Sequence, residues 1–565
     1  MTKKGLARNL TNYGDPDFSV YLRRSFARSM GYSTEMLARP VVGIATAASG
    51  FNNCHRTTPD LVEAVKRGVL AAGGLPLDFP TISLGEVFLN PTSMMFRNLM
   101  SMDVEEMIRA QPMDSVVLVG GCDKTLPAQL MGAVSAGRPF VYLAVGPMMT
   151  GRYQGERMGA CTDCRRFWGQ YRSGALNKGE IDTVEGTLAV TAGTCAVMGT
   201  ASTMACLAET LGVSLPGTAT IPAVHADRLR AAEASGKRAV ELIGAGLTPD
   251  KIITPGAVEN ALRVLLAVGG STNAIVHLTA IAGRLGIEVP LERLNELSDA
   301  TPVLVDLKPT GENYMEDLFA AGGVGAILRE LRPLLDLATL SVTGQVLAER
   351  LDADSGYVNS AIVRPLAEPF QLVGGLVALH GNLAPRGAIL KRAAADPRLF
   401  EGEGRAVVFS SLADLSARID RDDLDVTPDD YLVLRNAGPK AIGMPEAGYL
   451  PIPGKLARAG VKDMVRISDA RMSGTAFGTI VLHVTPEAAD GGPLGLVKDG
   501  DRIRMSVADR RLDLVVDDAE LARRQAAKTE DAVMEHRRGY GKLFVDHVLQ
   551  ADQGCDFDFL RGTDA

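Results

Sequence analysis

The chain has 565 residues, of which 46% are hydrophobic and 22% are charged, and its formal net charge is −8. This length exceeds what one hydrophobic core supports, so we expect at least two domains. The negative net charge, without a basic block, argues against a nucleic-acid partner. No apolar run approaches the roughly 20 residues that span a bilayer, and the N-terminus lacks the apolar region of a signal peptide, so we expect a cytoplasmic protein with no membrane partner.

The first two-thirds of the chain alternates β-branched runs with helical patterns. Residues 40–47 (PVVGIATA), 115–121 (SVVLVGG) and 139–147 (PFVYLAVGP) each predict a buried strand. A helix is predicted to begin near Thr58, after the first of these strands. Strands that alternate with helices are typical of a doubly wound parallel sheet, so we predict an α/β domain of this kind over residues 1–360.

The pattern changes in the last third of the chain. From about residue 405 onward, short apolar runs such as RAVVFSS, DYLVLRNAG and GTIVLHVTP are separated by glycine-containing turns. Many short strands joined by turns are typical of a β-barrel or sandwich. The boundary is predicted within residues 352–370, which gives a second, β-rich domain over 361–565.

Three cysteines lie in loops that precede predicted helices: Cys54, Cys122 and Cys195. In a parallel α/β sheet, strand-to-helix loops meet at the carboxyl ends of the strands, where ligands bind. Three thiolates that converge there suit zinc or an iron–sulfur cluster, and three ligands instead of four leave an open, catalytic position. The alternative that the spacing leaves open is three unconnected buried cysteines.

The other cysteines carry weaker signals. Cys161 and Cys164 form a single CxxC pattern, which on its own is half of a zinc site or a redox pair, and no second CxxC exists in the chain. Cys206 lies in a helical run and fits a buried core residue.

Three acids and a lysine occupy similar loops. Asp123 follows Cys122 directly, Glu86 is predicted at a strand end after a glycine, and Glu446 lies in a glycine- and proline-containing loop. Carboxylates in a cleft can hold magnesium, although each acid alone is more often a solvated surface group. Lys124 can lose its charge if it is buried, and carbon dioxide can then convert it to a carbamate with oxygen ligands.

Ser473 lies in the polar, glycine-containing loop ISDARMSGTAFGT between two predicted strands. It is not part of a GxSxG elbow, so the sequence does not favour a hydrolase. A metal lowers the pKa of nearby oxygen acids, so a serine beside one can act as a base. Without a metal, Ser473 is an ordinary turn residue.

Seven segments together resemble the dihydroxy-acid dehydratase/phosphogluconate dehydratase family over nearly the whole chain. They are FNNCH (51–55), GGCDKTLPA (120–128), GTCAVMGTASTMACLAETLG (193–212), VGGSTNAIVHL (268–278), GNLAPRGAILK (381–391), GPKAIGMPE (438–446) and DARMSG (469–474). The resemblance implies a doubly wound α/β N-terminal domain followed by a C-terminal β-barrel of the aconitase swivelling type.

The resemblance also implies roles for individual residues. Three cysteines match the ligands of an iron–sulfur cluster: Cys54, Cys122 and Cys195. Four residues match magnesium ligands, the last of them as a carbamate: Glu86, Asp123, Glu446 and Lys124. Two residues match the proposed base and a threonine that contacts the substrate: Ser473 and Thr475.

The family removes water from 2,3-dihydroxy carboxylates to give 2-keto-3-deoxy acids. The resemblance therefore implies a hydro-lyase in which the cluster iron is a Lewis acid for the leaving hydroxyl and Ser473 removes the C2 proton. DARMSGTAFG, CTDCRR and the C-terminal tail are most similar to the sugar-acid dehydratases. This similarity implies a polyhydroxy acid substrate such as arabinonate or xylonate, a 2Fe-2S cluster with 4Fe-4S as the alternative, and a homodimer or homotetramer.

Two other functions stay open. One is the dihydroxy-acid dehydratase of branched-chain amino acid biosynthesis. The other, from a different class, is an iron–sulfur electron-transfer protein, in which a fourth protein ligand normally closes the cluster.

Overall fold

The computed structural model describes residues 4–354, 356–527 and 533–562. None of the helices within these ranges is both long and apolar enough to cross a membrane.

The first sheet has four parallel strands in the order β2-β1-β3-β4. Three of them confirm the predicted buried strands, and every residue of β3 and β4 is buried. The fourth strand, β2, lies at the sheet edge, where prolines are tolerated because one side of the strand needs no partner. The bounds are β1 (Val41–Thr46), β2 (Leu75–Pro80), β3 (Ser115–Gly120) and β4 (Phe140–Ala144).

Helices connect and cover these strands. The helices within the described residues up to 352 are α1 (Pro16–Ser29), α2 (Thr34–Leu37), α3 (Thr58–Ala71), α4 (Ser93–Ala110), α5 (Thr125–Ala136), α6 (Thr162–Arg172), α7 (Lys178–Leu188), α8 (Thr200–Thr210), α9 (Ala226–Leu242), α10 (Pro249–Ile252), α11 (Pro255–Ala267), α12 (Asn273–Gly283), α13 (Leu291–Ala300), α14 (Met315–Ala320), α15 (Gly323–Glu330) and α16 (Leu347–Asp352). Helix α3 packs on α9 and α4 packs on α5.

The order of the strands fixes where a ligand can bind. From β1 the chain runs through α3 to β2 on one side, and later through β3 and α5 to β4 on the other. The direction of winding therefore reverses between β1 and β3, as it does in doubly wound sheets. Loops at the carboxyl ends of two such strands diverge and leave a crevice between them.

The second sheet has eight strands in the order β14-β13-β9-β10-β11-β12-β8-β7. Its four central strands are parallel, while the outer ones pair antiparallel. A bridge between His380 and Arg511 joins the two edges and nearly closes the sheet, in agreement with the predicted β-barrel. The strands are β7 (Val377–Leu379), β8 (Ala388–Leu390), β9 (Glu401–Phe409), β10 (Tyr431–Leu434), β11 (Arg466–Ser468), β12 (Ile480–Leu482), β13 (Arg502–Ser506) and β14 (Arg511–Leu514), and a separate hairpin earlier in the chain is formed by β5 (Gly151–Tyr153) and β6 (Glu156–Met158).

The inward side chains of this second sheet form a core of their own, which includes Val408, Val433 and Ile503. The helices described beside it are α17 (Leu412–Arg418), α18 (Pro439–Ile442), α19 (Gly454–Arg458), α20 (Asp518–Ala526) and α21 (Gly539–His547).

The C-terminal segment returns to the first sheet's helices and is held by buried charge. Arg284 at the end of α12 is fully buried and donates to both carboxylate oxygens of Asp556, at 2.6 and 2.9 Å. Arg97 of α4 donates to the carbonyl oxygens of Gly554 and Cys555. Because a buried charge without its partner is costly, these contacts fix the C-terminus against α4 and α12.

We predict that Asp556→Ala lowers the free energy of unfolding by about 3–5 kcal/mol, because it removes the two-point partner of buried Arg284 and leaves only Glu105, 3.4 Å away, to offset that charge. The matched control is Asp558→Ala, whose pair with His547 is about half exposed and worth less than about 1 kcal/mol. Urea unfolding followed by circular dichroism compares the two variants. Equal, small losses of stability in both would show that the buried pair does not anchor the C-terminus.

Candidate active site

The turn after β3 carries Cys122, Asp123 and Lys124 in consecutive positions. Cys122 has φ +65°, a left-handed conformation that costs free energy for a residue with a side chain and often marks a functional site. Gly121 before it has no room for a side chain, since an added Cβ would lie 2.2 Å from a methyl carbon of Val145. Helix α5 begins directly after Lys124, so this turn is fixed at both ends.

The loops after β1 and β3 bring two of the predicted cluster ligands together. Cys54 follows β1, and its backbone N–H donates to Asn52 Oδ1 at 3.1 Å. The neighbouring Cys122 thiol and burial both raise the pKa of the Cys54 thiol. The pair lies at the crevice where the winding of the sheet reverses.

Cys195 reaches this region by a different route from the one predicted. Its loop does not follow a strand of the parallel sheet; instead, Thr194 forms an isolated bridge with Pro147, just beyond β4. A Cβ added to Gly121 would lie 3.2 Å from the Thr194 methyl group, so the loops of Cys122 and Cys195 are in contact.

Cys161 is a residue whose position the sequence did not predict. Its Sγ lies 3.0 Å from Cys195 Sγ, and Cys164 donates from its thiol to the Cys161 carbonyl oxygen. A fourth thiol therefore lies beside one of the three predicted cluster ligands. The CxxC pattern was the available signal, but it carries no information on which loop it faces.

The three predicted acids converge from distant parts of the chain. Ligand oxygens of Glu86, Asp123 and Glu446 all lie within 4.8 Å of one another, and their side chains are 15–22% exposed. Asp123 follows β3, Glu446 follows α18, and Glu86 lies six residues beyond the end of β2 instead of at a strand end. Three oxygen donors at this spacing could hold a divalent cation.

Two buried cations lie against these acids. Lys124 Nζ is 2.6 Å from Asp123 Oδ2, 3.8 Å from Glu86 Oε2 and 4.0 Å from Glu446 Oε1. Arg471 bridges the other two acids, with Nη2 2.9 Å from Glu86 Oε2 and Nη1 2.5 Å from Glu446 Oε1. Sequence reasoning missed Arg471, although it stands in the DARMSG segment, because nothing in that segment shows which way the arginine points.

The charges of the acids follow from these contacts. Burial alone would raise the pKa of Glu86, but Arg471 and Lys124 outweigh it and lower that pKa to about 2. Thr92 and Ser93 also donate hydroxyl hydrogen bonds to Glu86. Burial raises the pKa of Glu446, and the charge of Glu86 acts in the same direction.

Ser473 and Thr475 lie together in the loop between β11 and β12, with their hydroxyl oxygens 2.8 Å apart. Gly474 between them packs so closely on the first half of the chain that an added Cβ would lie 2.6 Å from Ser271 Cβ. The Asn273 side chain donates to the carbonyl oxygen of Met472 at 3.0 Å. The loop therefore lies where the unit built on the first sheet meets the unit built on the second sheet.

Two kinds of donor thus lie side by side. Cys122 Sγ is 3.5 Å from Asp123 Oδ1. The set of cysteines and the set of acids therefore meet at these two adjacent residues. Thiolates suit an iron–sulfur cluster, and carboxylate oxygens suit magnesium. The acids therefore fit a divalent cation by their oxygen atoms and their spacing, and the cysteines fit a cluster by the chemistry of their thiols.

Comparison with known proteins identifies the family of the chain. Residues 39–350 match the family described as Dihydroxy-acid/6-phosphogluconate dehydratase N-terminal, and residues 361–555 match its C-terminal counterpart. The chain belongs to this dehydratase family, as its motifs indicated. Dehydratases are hydro-lyases, and this chain is an enzyme of that class.

Individual relatives cover almost the full chain. The L-arabonate dehydratase of Azospirillum brasilense is 46% identical over 98% of this chain and 96% of its own. The 6-deoxy-6-sulfo-D-gluconate dehydratase of Pseudomonas putida is 44% identical over 94% and 92%. A dihydroxy-acid dehydratase of Nitratidesulfovibrio vulgaris (strain DSM 19637 / Miyazaki F) is 38% identical over 89% and 91%.

We predict that Mn²⁺, as a probe for magnesium, binds to the three acids. Asp123→Asn and Glu446→Gln should each weaken its binding by on the order of tenfold or more, since even the loss of an outer partner of a metal ligand costs about 10–100-fold. The EPR signal of free Mn²⁺ measures the binding, and the surface variant Asp78→Asn serves as the control. Equal affinity in all four proteins would exclude these acids as ligands.

Proposed function

We propose that this enzyme removes water from a sugar acid, converting a 2,3-dihydroxy carboxylate to the 2-keto-3-deoxy acid. One observation carries the proposal: thiols and carboxylates suited to two different metal centres meet on the turn of Cys122 and Asp123, with Ser473 in a neighbouring loop on the other side of the domain junction. The family membership supports the reaction type. The names of the relatives support the substrate class, because two sugar-acid dehydratases are 44–46% identical and a dihydroxy-acid dehydratase is 38% identical.

We assign an iron–sulfur cluster, of the 2Fe-2S type, to Cys54, Cys122 and Cys195, and magnesium to Glu86, Asp123 and Glu446. When bound, the cluster supplies a Lewis acid for the departing hydroxyl, and magnesium supplies positive charge for the substrate carboxylate and C2 oxygen. The chain's own residues supply the rest. Ser473 removes the proton from C2, and Arg471 orients Glu86 and Glu446 by donating to both.

Lys124 is proposed as a further magnesium ligand in the form of a carbamate. As an ammonium group it lies 2.6 Å from Asp123 Oδ2 and would repel a divalent cation at the same acids. As a carbamate it would carry a negative charge and add oxygen ligands. Carbamylation would thus replace a cation that competes with magnesium for the acids by an anion that binds magnesium.

The surface beside the site supports a homodimer or homotetramer. Three large apolar side chains next to the proposed ligands are 62–79% exposed: Phe51, Val87 and Phe88. Exposed apolar groups clustered at one place are typical of an interface between proteins. We propose that a second copy of the chain covers them. We also propose that the second domain, which carries Ser473, is a β-barrel of the aconitase swivelling type.

The position of Cys161 favours one second candidate, an iron–sulfur electron-transfer protein. A fourth thiol 3.0 Å from Cys195 Sγ could close the coordination of a cluster. The magnesium-type acids favour the dehydratase, because electron transfer makes no use of them.

We predict that the anaerobically prepared, iron- and magnesium-loaded enzyme releases 2-keto acid from at least one of arabinonate, xylonate and galactonate, faster than from 2,3-dihydroxyisovalerate or 6-phosphogluconate. Ser473→Ala should lower kcat by about 10²–10⁴-fold, the usual contribution of a general base. Iron content and Mn²⁺ binding should stay unchanged, and Ser29→Ala on the surface serves as the control.

Two outcomes would contradict this account at different points. Near-normal turnover by Ser473→Ala with both metals retained would remove Ser473 as the base. No keto acid from any member of the panel would remove the dehydratase and leave the electron-transfer candidate.

A further inference from the structure

A hydrogen-bond chain leads from Ser473 to an arginine of the other half of the molecule. Ser473 Oγ lies 2.8 Å from Thr475 Oγ1, and Arg165 Nη1 donates to the same Thr475 Oγ1 at 2.8 Å. Ser473 Oγ also accepts from the backbone N–H of Thr475 at 3.4 Å. Arg165 belongs to α6, which precedes the β-barrel by more than 200 residues of sequence.

The chemistry of the donors gives this chain a direction. A guanidinium group can only donate, so Thr475 Oγ1 accepts from Arg165. Among the described residues, Ser473 is the remaining hydrogen-bond partner of that oxygen. When Ser473 has lost its proton it cannot donate, so the hydrogen between the two hydroxyl oxygens then belongs to Thr475. Donation to the charged form of a group favours that form.

The guanidinium of Arg165 has no carboxylate partner among the described residues, so its charge can act on the hydrogen bonds to Ser473. Within the described ranges no carboxylate lies within 4.0 Å of it, whereas neighbouring Arg166 pairs with Glu156 and Asp163. Arg165 is held in place by a second donation to the Cys161 carbonyl oxygen at 3.1 Å and by the ring of Tyr449, 5.6 Å below its central carbon. Its positive charge is therefore fixed and unpaired beside Thr475.

Helix α6 contacts the loop of Ser473 and Thr475 at a second point. The Thr162 hydroxyl donates to the carbonyl oxygen of Thr475 at 3.0 Å. Thr475 is thus oriented through both its backbone and its side chain, and its hydroxyl cannot turn away from Ser473 without losing Arg165.

We propose that Arg165 is a positioning residue for the base: it holds Thr475 so that the threonine hydroxyl donates to Ser473 Oγ and stabilises the ionised serine. The proposal rests on the proposed function of Ser473. It makes Thr475 a hydrogen-bond donor to Ser473. It also gives a role to Arg165, the first arginine after the CxxC pattern.

Other charged or titratable groups also face the loop. Lys391, at the end of β8, is fully buried and donates to the Gly474 carbonyl oxygen at 3.2 Å. Arg471 lies two residues before Ser473, and Cys195 lies behind Gly199, which contacts the Thr475 methyl group. These groups are the same in every variant below, so they do not account for a difference between variants.

A thiol placed at position 473 reports on the hydrogen-bond chain from Arg165 to that position, without metals or turnover. In Ser473→Cys we measure the rate of iodoacetamide alkylation of the 473 peptide against pH by mass spectrometry, in the metal-free full chain. Its apparent pKa should lie below the ordinary value of about 8.5. Adding Arg165→Gln or Thr475→Val should move it about one unit or more to higher pH, whereas Thr475→Ser, which keeps the hydroxyl, should restore it.

Arg166→Gln in the Ser473→Cys background is the matched control, since it removes an adjacent guanidinium with other partners, and it should leave the thiol pKa unchanged. In the loaded enzyme, Arg165→Gln should lower kcat by about 10–100-fold with little change in KM, the loss expected for a hydrogen bond that supports a charged group. Arg165→Lys should recover part of it.

The proposed role of Arg165 is overturned if the pKa of the thiol at position 473 is the same with Arg165 and with Gln at that position. It is also overturned if Arg165→Gln changes KM alone. The first measurement separates this proposal from the proposed function. If Ser473→Ala keeps its turnover while the thiol pKa still depends on Arg165, the base assignment fails, and only the hydrogen-bond coupling between Arg165 and position 473 stands.

Discussion

The contact on which the rest of the site depends is the buried guanidinium of Arg471 between two carboxylates. It joins Glu86, from the loop after β2, to Glu446, from the loop after α18, and so connects the two structural units. Three acids this close repel one another, and they persist in a mostly buried site because Arg471 and Lys124 offset the repulsion. Since Ser473 follows Arg471 by two residues, the same contact also sets where the proposed base lies.

A second constraint acts on the other side of these acids. The reversal of winding between β1 and β3 opens a crevice, and the turn after β3 places a thiol and a carboxylate in it at successive positions. Because the strand before the turn and the helix after it are buried, the spacing between the two donor sets is rigid. Such a turn would hold the proposed ligands in place before any metal binds, which is the condition for precise binding.

The sequence predicted the elements whose signal is local. The apolar runs of β1, β3 and β4 were confirmed, because burial on both faces leaves a continuous β-branched pattern. The start of α3 was confirmed because a proline and an acid mark its first turn. Strand β2 was missed because its two prolines argue against a strand, and only its place at the sheet edge permits them. The proposed ligand residues were predicted from motifs. Arg471, Arg165 and Cys161 were not, because their roles depend on which distant loop they face, and that is a property of the folded chain.

The central claim is that one turn carries ligands of two metal centres. Anomalous diffraction from anaerobic crystals of the iron-loaded protein soaked in manganese, collected at the iron and manganese edges, tests it directly. The account predicts about two iron atoms, the 2Fe-2S content, bonded to the sulfurs of Cys54, Cys122 and Cys195. It predicts manganese on the oxygens of Glu86, Asp123 and Glu446. Iron bound by other residues, or manganese away from Asp123, would contradict it.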